Sequence, residues 1–188
     1  MQSEDDGMGL FNGKHLSGKE KLYSKKNGYC YPTAMSCATG LPIEDVLKSV
    51  KKRGVKIQNN NGMTDHAAMR VVKDLGYTFD WGYHSKQPLL VTVKVGPEFH
   101  AIARNPDGTW CCNRSGHRQK SFQDLQKRLA RWFREVDNKP EITTNDVQLV
   151  QHIALWPIID GEWELEVPDI NEFITSMPKE YAKRQYII

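Results

Sequence analysis

Hydrophobic periodicity switches partway along this 188-residue chain from helical to strand spacing. Up to Gly76 the apolar residues recur at helical spacing; from Leu89 they alternate as strands do. A helix buries one stripe and a strand one side, so the change separates a helical first part from a sheet-forming second part. Ile43, Val46, Leu47 and Val50 share one helical face after Pro42, and Gly54 follows the basic end. Ala67, Ala68, Val71, Val72 and Leu75 make a second face, with Thr64 placed to cap it and Gly76 to end it. A shorter helix is expected over residues 32–38, since Pro32 suits a first helical position and Gly40 lies past the end. Residues 89–95 read as a strand and 99–104 as the next, after the break at Gly96-Pro97. Residues 109–113 return after the turn Asn105-Pro106-Asp107-Gly108. The helical period reappears over 121–136, with Phe122, Leu125, Leu129, Trp132 and Phe133 on one face, and 147–159 read as a further strand cut by Pro157. This order predicts an α+β domain over residues 29–159, with N-terminal helices packed on an antiparallel sheet. Residues 1–28 read as a charged, glycine-rich N-terminal arm, and 160–188 as a weakly periodic C-terminal extension.

Composition narrows the function. Hydrophobic residues are 39% and charged residues 26%, which excludes disordered and membrane classes. No apolar run approaches the roughly 18 residues of a membrane helix. The acidic start lacks the basic and apolar regions of a secretory signal, so a cytoplasmic location is expected. Lys+Arg 26 against Asp+Glu 23 leaves a net charge of +3, too small an excess for a dedicated nucleic-acid binder. Four cysteines are too few for a disulfide scaffold and point to a reducing compartment. Cys111 and Cys112 are adjacent, so on a strand their thiols face opposite ways and do not share a zinc. No metal-ligand or phosphate-loop motif is present, and neither metal nor cofactor is expected.

Chemistry is expected at three residues. Cys30 precedes a helix, where unpaired N–H groups and the helix dipole favour the reactive thiolate. Cys37 lies at the other end of that helix and reads as core. A thiolate needs an imidazole partner, and among six histidines His100 stands at the start of the apolar strand Phe99-His100-Ala101-Ile102-Ala103. His66 and His152 read as packing; His15, His84 and His117 read as exposed. A catalytic imidazole also needs an orienting amide or carboxylate. If Arg104 pairs with Thr109, Asn113 lies opposite His100 on one face. If the turn is instead a three-residue loop with a bulged glycine, the register shifts by one and Asn113 leaves that face unless a second bulge restores it. Asp107, in the turn, is the other candidate.

The order cysteine before a helix, histidine on a strand, asparagine after a hairpin resembles the papain-like cysteine peptidase superfamily. The strings are closer to its C39-like branch and to small phage-encoded relatives. Cys30-Tyr31-Pro32-Thr33-Ala34-Met35-Ser36-Cys37-Ala38-Thr39-Gly40 followed by Glu44-Asp45-Val46, then Asn61-Gly62-Met63-Thr64 with Leu75-Gly76-Tyr77, then His100-Ala101-Ile102-Ala103 with Asp107-Gly108-Thr109-Trp110, carry the likeness over roughly residues 27–115. The resemblance implies a papain-like fold and a hydrolase that cleaves a peptide or isopeptide bond, with Cys30 as nucleophile, His100 as general base and acid, and Asn113 as orienter. The family places a glutamine about six residues before the cysteine as an oxyanion donor; here Ser24 holds that position and Asn27 is the nearest amide. Loss of such a donor costs ~10²–10³ in turnover. The alternative is therefore a catalytically degenerate papain-like domain serving as a protein-binding module in phage–host interaction. A phage-encoded chain would act in the host cytoplasm or the virion.

The expected partner is a protein or peptide substrate. Lys127, Arg128, Arg131 and Arg134 make the helix over 121–136 basic, which suits a solvated face or an acidic partner. Arg114, His117, Arg118 and Lys120 follow the hairpin and, if they line the same cleft, favour an acidic substrate.

Overall fold

Two helix starts are each made by one side chain. In the computed structural model, which describes residues 28–57, 62–114 and 118–158, the Thr64 hydroxyl accepts from the Ala67 N–H at 3.2 Å and the Ser121 hydroxyl from the Asp124 N–H at 3.1 Å. Each satisfies one of the N–H groups that a first helical turn leaves unpaired. The helices that follow are α3 (Asp65–Asp74) and α4 (Phe122–Glu135). Ahead of them lie α1 (Cys30–Thr39) and α2 (Ile43–Lys52). The first helix begins two residues earlier than expected, and Pro32 sits in its first turn rather than at its first position. That is tolerated because a first-turn N–H has no partner within the helix to lose.

Five strands follow: β1 (Tyr77–Trp81), β2 (Leu89–Val95), β3 (Glu98–Arg104), β4 (Trp110–Cys111) and β5 (Val147–Pro157), in the antiparallel order β1-β5-β2-β3-β4. The chain is thus an α+β fold with helices packed on an antiparallel sheet. β1 is an addition to the sequence reading, and β4 is shorter than the expected 109–113. The arm 1–28, apart from Gly28, and the extension 160–188 lie outside the described residues, as do Ser24 and Asn27.

Both faces of the sheet are covered. Leu90, Ala101, Ala103, Cys111, Ile153 and Leu155 pack against α1, α2 and α3. Their alternates Leu89, Val91, Val93, Ile102, Cys112 and Ala154 pack against Leu125, Leu129, Ala130 and Phe133 of α4. The adjacent cysteines 111 and 112 therefore do separate to opposite faces. Burial on both sides explains why β2 is nearly continuously apolar. A β-bulge in β5, opposite Thr92 and Val93, reverses which residues face which side. Among the described residues no helix is long and apolar enough to cross a membrane.

The hairpin between β3 and β4 decides the register of the site. The Asn105 N–H donates to the Thr109 carbonyl at 2.7 Å, and Gly108, at φ 85°, donates to the Asn105 carbonyl at 2.9 Å. This is the three-residue loop with a left-handed glycine. Arg104 consequently pairs with Trp110, not Thr109, and Ala103 with Cys111. The ladder ends there: β4 stops at Cys111, and residues 113 and 114 turn away from it. The expected pairing of Asn113 with His100 does not form: the extra loop residue shifts the register, and Asn113 lies in the turn beyond the strand.

Candidate active site

Cys30 is the first residue of α1, and no side chain caps that helix. β4 ends at Cys111, so the edge of β3 is open beyond it. There the backbone N–H of Ala101 meets the Cys30 sulfur instead of a strand partner. The cysteine is thereby held at the residue next to His100. Burial pushes the Cys30 thiol above its ordinary value; the Ala101 N–H, the Arg114 cation and its own N–H pull it back, and Asp65 adds a smaller push upward. The expectation of a stabilised thiolate is thus corrected. Loss of water around the sulfur outweighs the two N–H groups and the cation that pull the other way.

His100 projects toward the α4 side, opposite Val93, and is 5% exposed. Burial first, and the Arg114 cation second, hold its imidazole well below the usual histidine range. The resting pair is therefore a neutral thiol with a neutral imidazole. His100 Nε2 is buried without a hydrogen-bond partner, and so is Asn113 Oδ1. Asn113 is itself buried and lies in the turn after β4, but the two atoms do not bond each other. Asp107, the other orienter candidate, is taken up by the Thr109 N–H and hydroxyl and by Arg118.

Three residues that carry no catalytic pattern hold the cysteine in place. The Tyr31 hydroxyl donates to Asp65 Oδ1, and Gln151 Nε2 donates to Asp65 Oδ2 at 3.1 Å. Asp65 has no exposed surface. The network ties the residue after Cys30 to α3 and β5, and a buried carboxylate left half-satisfied would be costly. Its only sequence signal is an acidic residue in a helix's first turn, which reads equally well as a dipole contact. Gly62 adds a steric constraint. At φ 63°, a Cβ there would stand 3.0 Å from the Gly28 carbonyl oxygen, two residues before the nucleophile. Gly62→Ala is expected to cost about 1–2 kcal/mol of stability and to slow Cys30 alkylation in the folded protein. Urea titration and timed mass spectrometry measure the two effects; an unchanged labelling rate would show that the contact does not position Cys30.

Arg114 emerges as the cation of the site. Its guanidinium bonds the Asp137 carboxylate and lies 5.0 Å from the centroid of the Phe133 ring. Of its expected companions, Arg118 pairs with Asp107 and His117 lies outside the described residues. Cys37 is core, as expected. Burial, and then the neighbouring Cys111 thiol, raise it well above an ordinary cysteine. On α4 the apolar face is buried, while Arg131 pairs with Glu135 at 2.9 Å and Arg134 donates to the Ile142 carbonyl at 2.9 Å.

The chain matches no family model, no curated protein and no solved structure. The chemistry of the site rests on its own geometry.

Proposed function

We propose that this protein is a cysteine-dependent acyl hydrolase of papain-like design, acting on an amide bond of a protein or peptide. The observation that carries the reading is the bond from the Ala101 N–H to the Cys30 sulfur, which sets a helix-terminal thiol beside the strand of a buried histidine. The unpartnered Nε2 of His100 and Oδ1 of Asn113 support it. Buried polar atoms are rarely left unpaired without a use.

With both groups neutral, the reaction runs by general-base catalysis. His100 takes the thiol proton as sulfur attacks the carbonyl carbon, and then delivers it to the leaving amine. Water enters in the second half, His100 removes its proton, and the thioester opens to the acid with the thiol restored. The second reading, a binding module that keeps the fold without turnover, is favoured by that same neutrality, since a raised thiol and a lowered imidazole both reduce resting reactivity.

p-Nitrophenyl acetate separates the two. The hydrolase is expected to form an acetyl adduct on Cys30, visible by mass spectrometry, and to hydrolyse it, with Cys30→Ala reduced to the background rate. No adduct on Cys30 in folded protein, or an adduct that never turns over, decides for the binding module.

A further inference from the structure

We propose that the C-terminal end of β3 carries a binding site for a monocarboxylate, with Arg104 as the receiving cation and Tyr83 as the side chain that yields to the ligand. The site lies about 13 Å along β3 from His100, and it stands whether or not the hydrolase reading holds.

The strand order sets β5 between β1 and β2, so the connection 82–88 has to cross β5. It crosses on the α4 side of the sheet. The Tyr83 ring meets His152 edge-on at 5.4 Å, and the His84 ring meets Trp156 at 4.7 Å. His152 stands opposite Val91, a residue of that side. Arg104 ends β3 opposite Leu89, on the same side. The crossing connection thus meets the guanidinium. Nη1 donates to the Tyr83 hydroxyl at 3.2 Å, and Nη2 donates to the His84 carbonyl at 2.6 Å and to the Gln87 carbonyl.

What this cation lacks is a negative charge. Arg104 is 5% exposed, yet among the described residues none of its hydrogen-bond partners is acidic. Asp80 of β1 faces the His84 ring at 3.4 Å instead. A buried cation is ordinarily paired, because neutral acceptors replace only part of the hydration it gives up. Here the neutral partners do not even complete the hydrogen bonding, since Arg104 Nε is buried with no partner. A carboxylate supplies the missing charge, with oxygens that fit the plane of a guanidinium. A single uncompensated charge calls for a monoanion rather than a dianion. Entry is through Tyr83, which is 57% exposed and whose ring centroid lies 5.3 Å from the guanidinium carbon. Its hydroxyl accepts from Nη1, which leaves its own proton to donate to a carboxylate oxygen. Turning Tyr83 outward gives up a neutral hydrogen bond at Nη1, and the ligand replaces it with a stronger, charge-assisted one.

Isotope-edited NMR of the full chain reads the Arg104 Nε–H directly. Sodium acetate is expected to shift that signal along a saturable curve, while sodium chloride at equal ionic strength leaves it in place. At about ten times its dissociation constant, acetate should raise the unfolding midpoint by about 3–5 °C over the chloride control. Arg104→Met should abolish the thermal response. If that variant does not fold, Tyr83→Glu decides. It brings a carboxylate to Nη1 from within the chain, so the midpoint without acetate should rise and the acetate response should vanish. An acetate response unchanged in Tyr83→Glu, or a wild-type signal that acetate moves no more than chloride does, overturns the proposal. Tighter binding of inorganic phosphate than of acetate at about pH 8, where phosphate is mainly a dianion, overturns it as well. Capped amino acids then separate two sources of the carboxylate. N-acetylglutamate amide against N-acetylglutamine amide tests a side chain; N-acetylalanine against its amide tests a chain end. The acid that displaces acetate at the lower concentration names the source. The readout is remote from Cys30, so this proposal and the hydrolase reading can each fail without the other.

Discussion

His100→Leu is expected to yield a protein more stable than the wild type and unable to hydrolyse p-nitrophenyl acetate at Cys30. The ring is 5% exposed, and its Nε2 is buried without a partner. An unsatisfied buried polar atom costs about 1–3 kcal/mol, and an apolar side chain of similar size removes that cost. The midpoint of thermal unfolding should rise by about 2–4 °C. Loss of the general base should lower ester turnover by ~10²–10⁴-fold.

The two effects acquire a pH signature from the lowered imidazole. Below about pH 6.5 the unfolded chain binds a proton at position 100 that the folded chain refuses. Wild type therefore loses stability as pH falls from that point toward the lowered folded value. The leucine variant lacks this contribution, whereas the smaller one from His152, lowered by burial and by Arg104, is common to both proteins. The stability gap should widen from pH 7 to pH 5 in parallel thermal melts. A variant less stable than wild type at pH 7, or a gap that stays constant, would show that His100 is a satisfied core residue rather than a group held in reserve for chemistry.

Phe133→Ala should be the most damaging single change in α4. The ring is 1% exposed and packs with Leu125, Leu129 and the apolar face of the central strands. Arg114 and Lys139 also rest on it, at 5.0 and 5.3 Å from its centroid. Truncation loses transfer free energy, opens a cavity and removes both cation–ring contacts, about 3–5 kcal/mol for the cavity and transfer parts alone. Against a typical total of about 5–15 kcal/mol this brings the domain close to unfolding. Urea denaturation should show a lower midpoint with an unchanged slope. A stability loss below 1 kcal/mol would mean that α4 is not packed through Phe133.

How much of this was legible depends on the distance over which each signal acts. The helices α2, α3 and α4 and the strand β2 lie within about a residue of their expected bounds, because a cap, a glycine and an apolar period are all local. The strand β1 escaped notice. Tyr77–Trp81 is short, and its partner is β5, which inserts between β1 and β2 from far along the chain. The register of β3 with β4 was open between two loop types, and backbone hydrogen bonding chose the bulged one. Cys30 and His100 were visible as a helix-start thiol and a histidine in an apolar strand. Tyr31, Asp65 and Gln151 were not, since the network joining them exists only after three separate elements pack.

The sequence by itself determined the order of elements, helices before sheet, and the residue types able to do nucleophilic chemistry, because periodicity, caps and turn residues act within a few positions of themselves. Only the tertiary structure decided the electrostatics: it took water from the thiol and the imidazole, and it ended β4 short of Asn113. Desolvation and long-range register are properties of what surrounds a residue in space, and no short stretch of sequence encodes them.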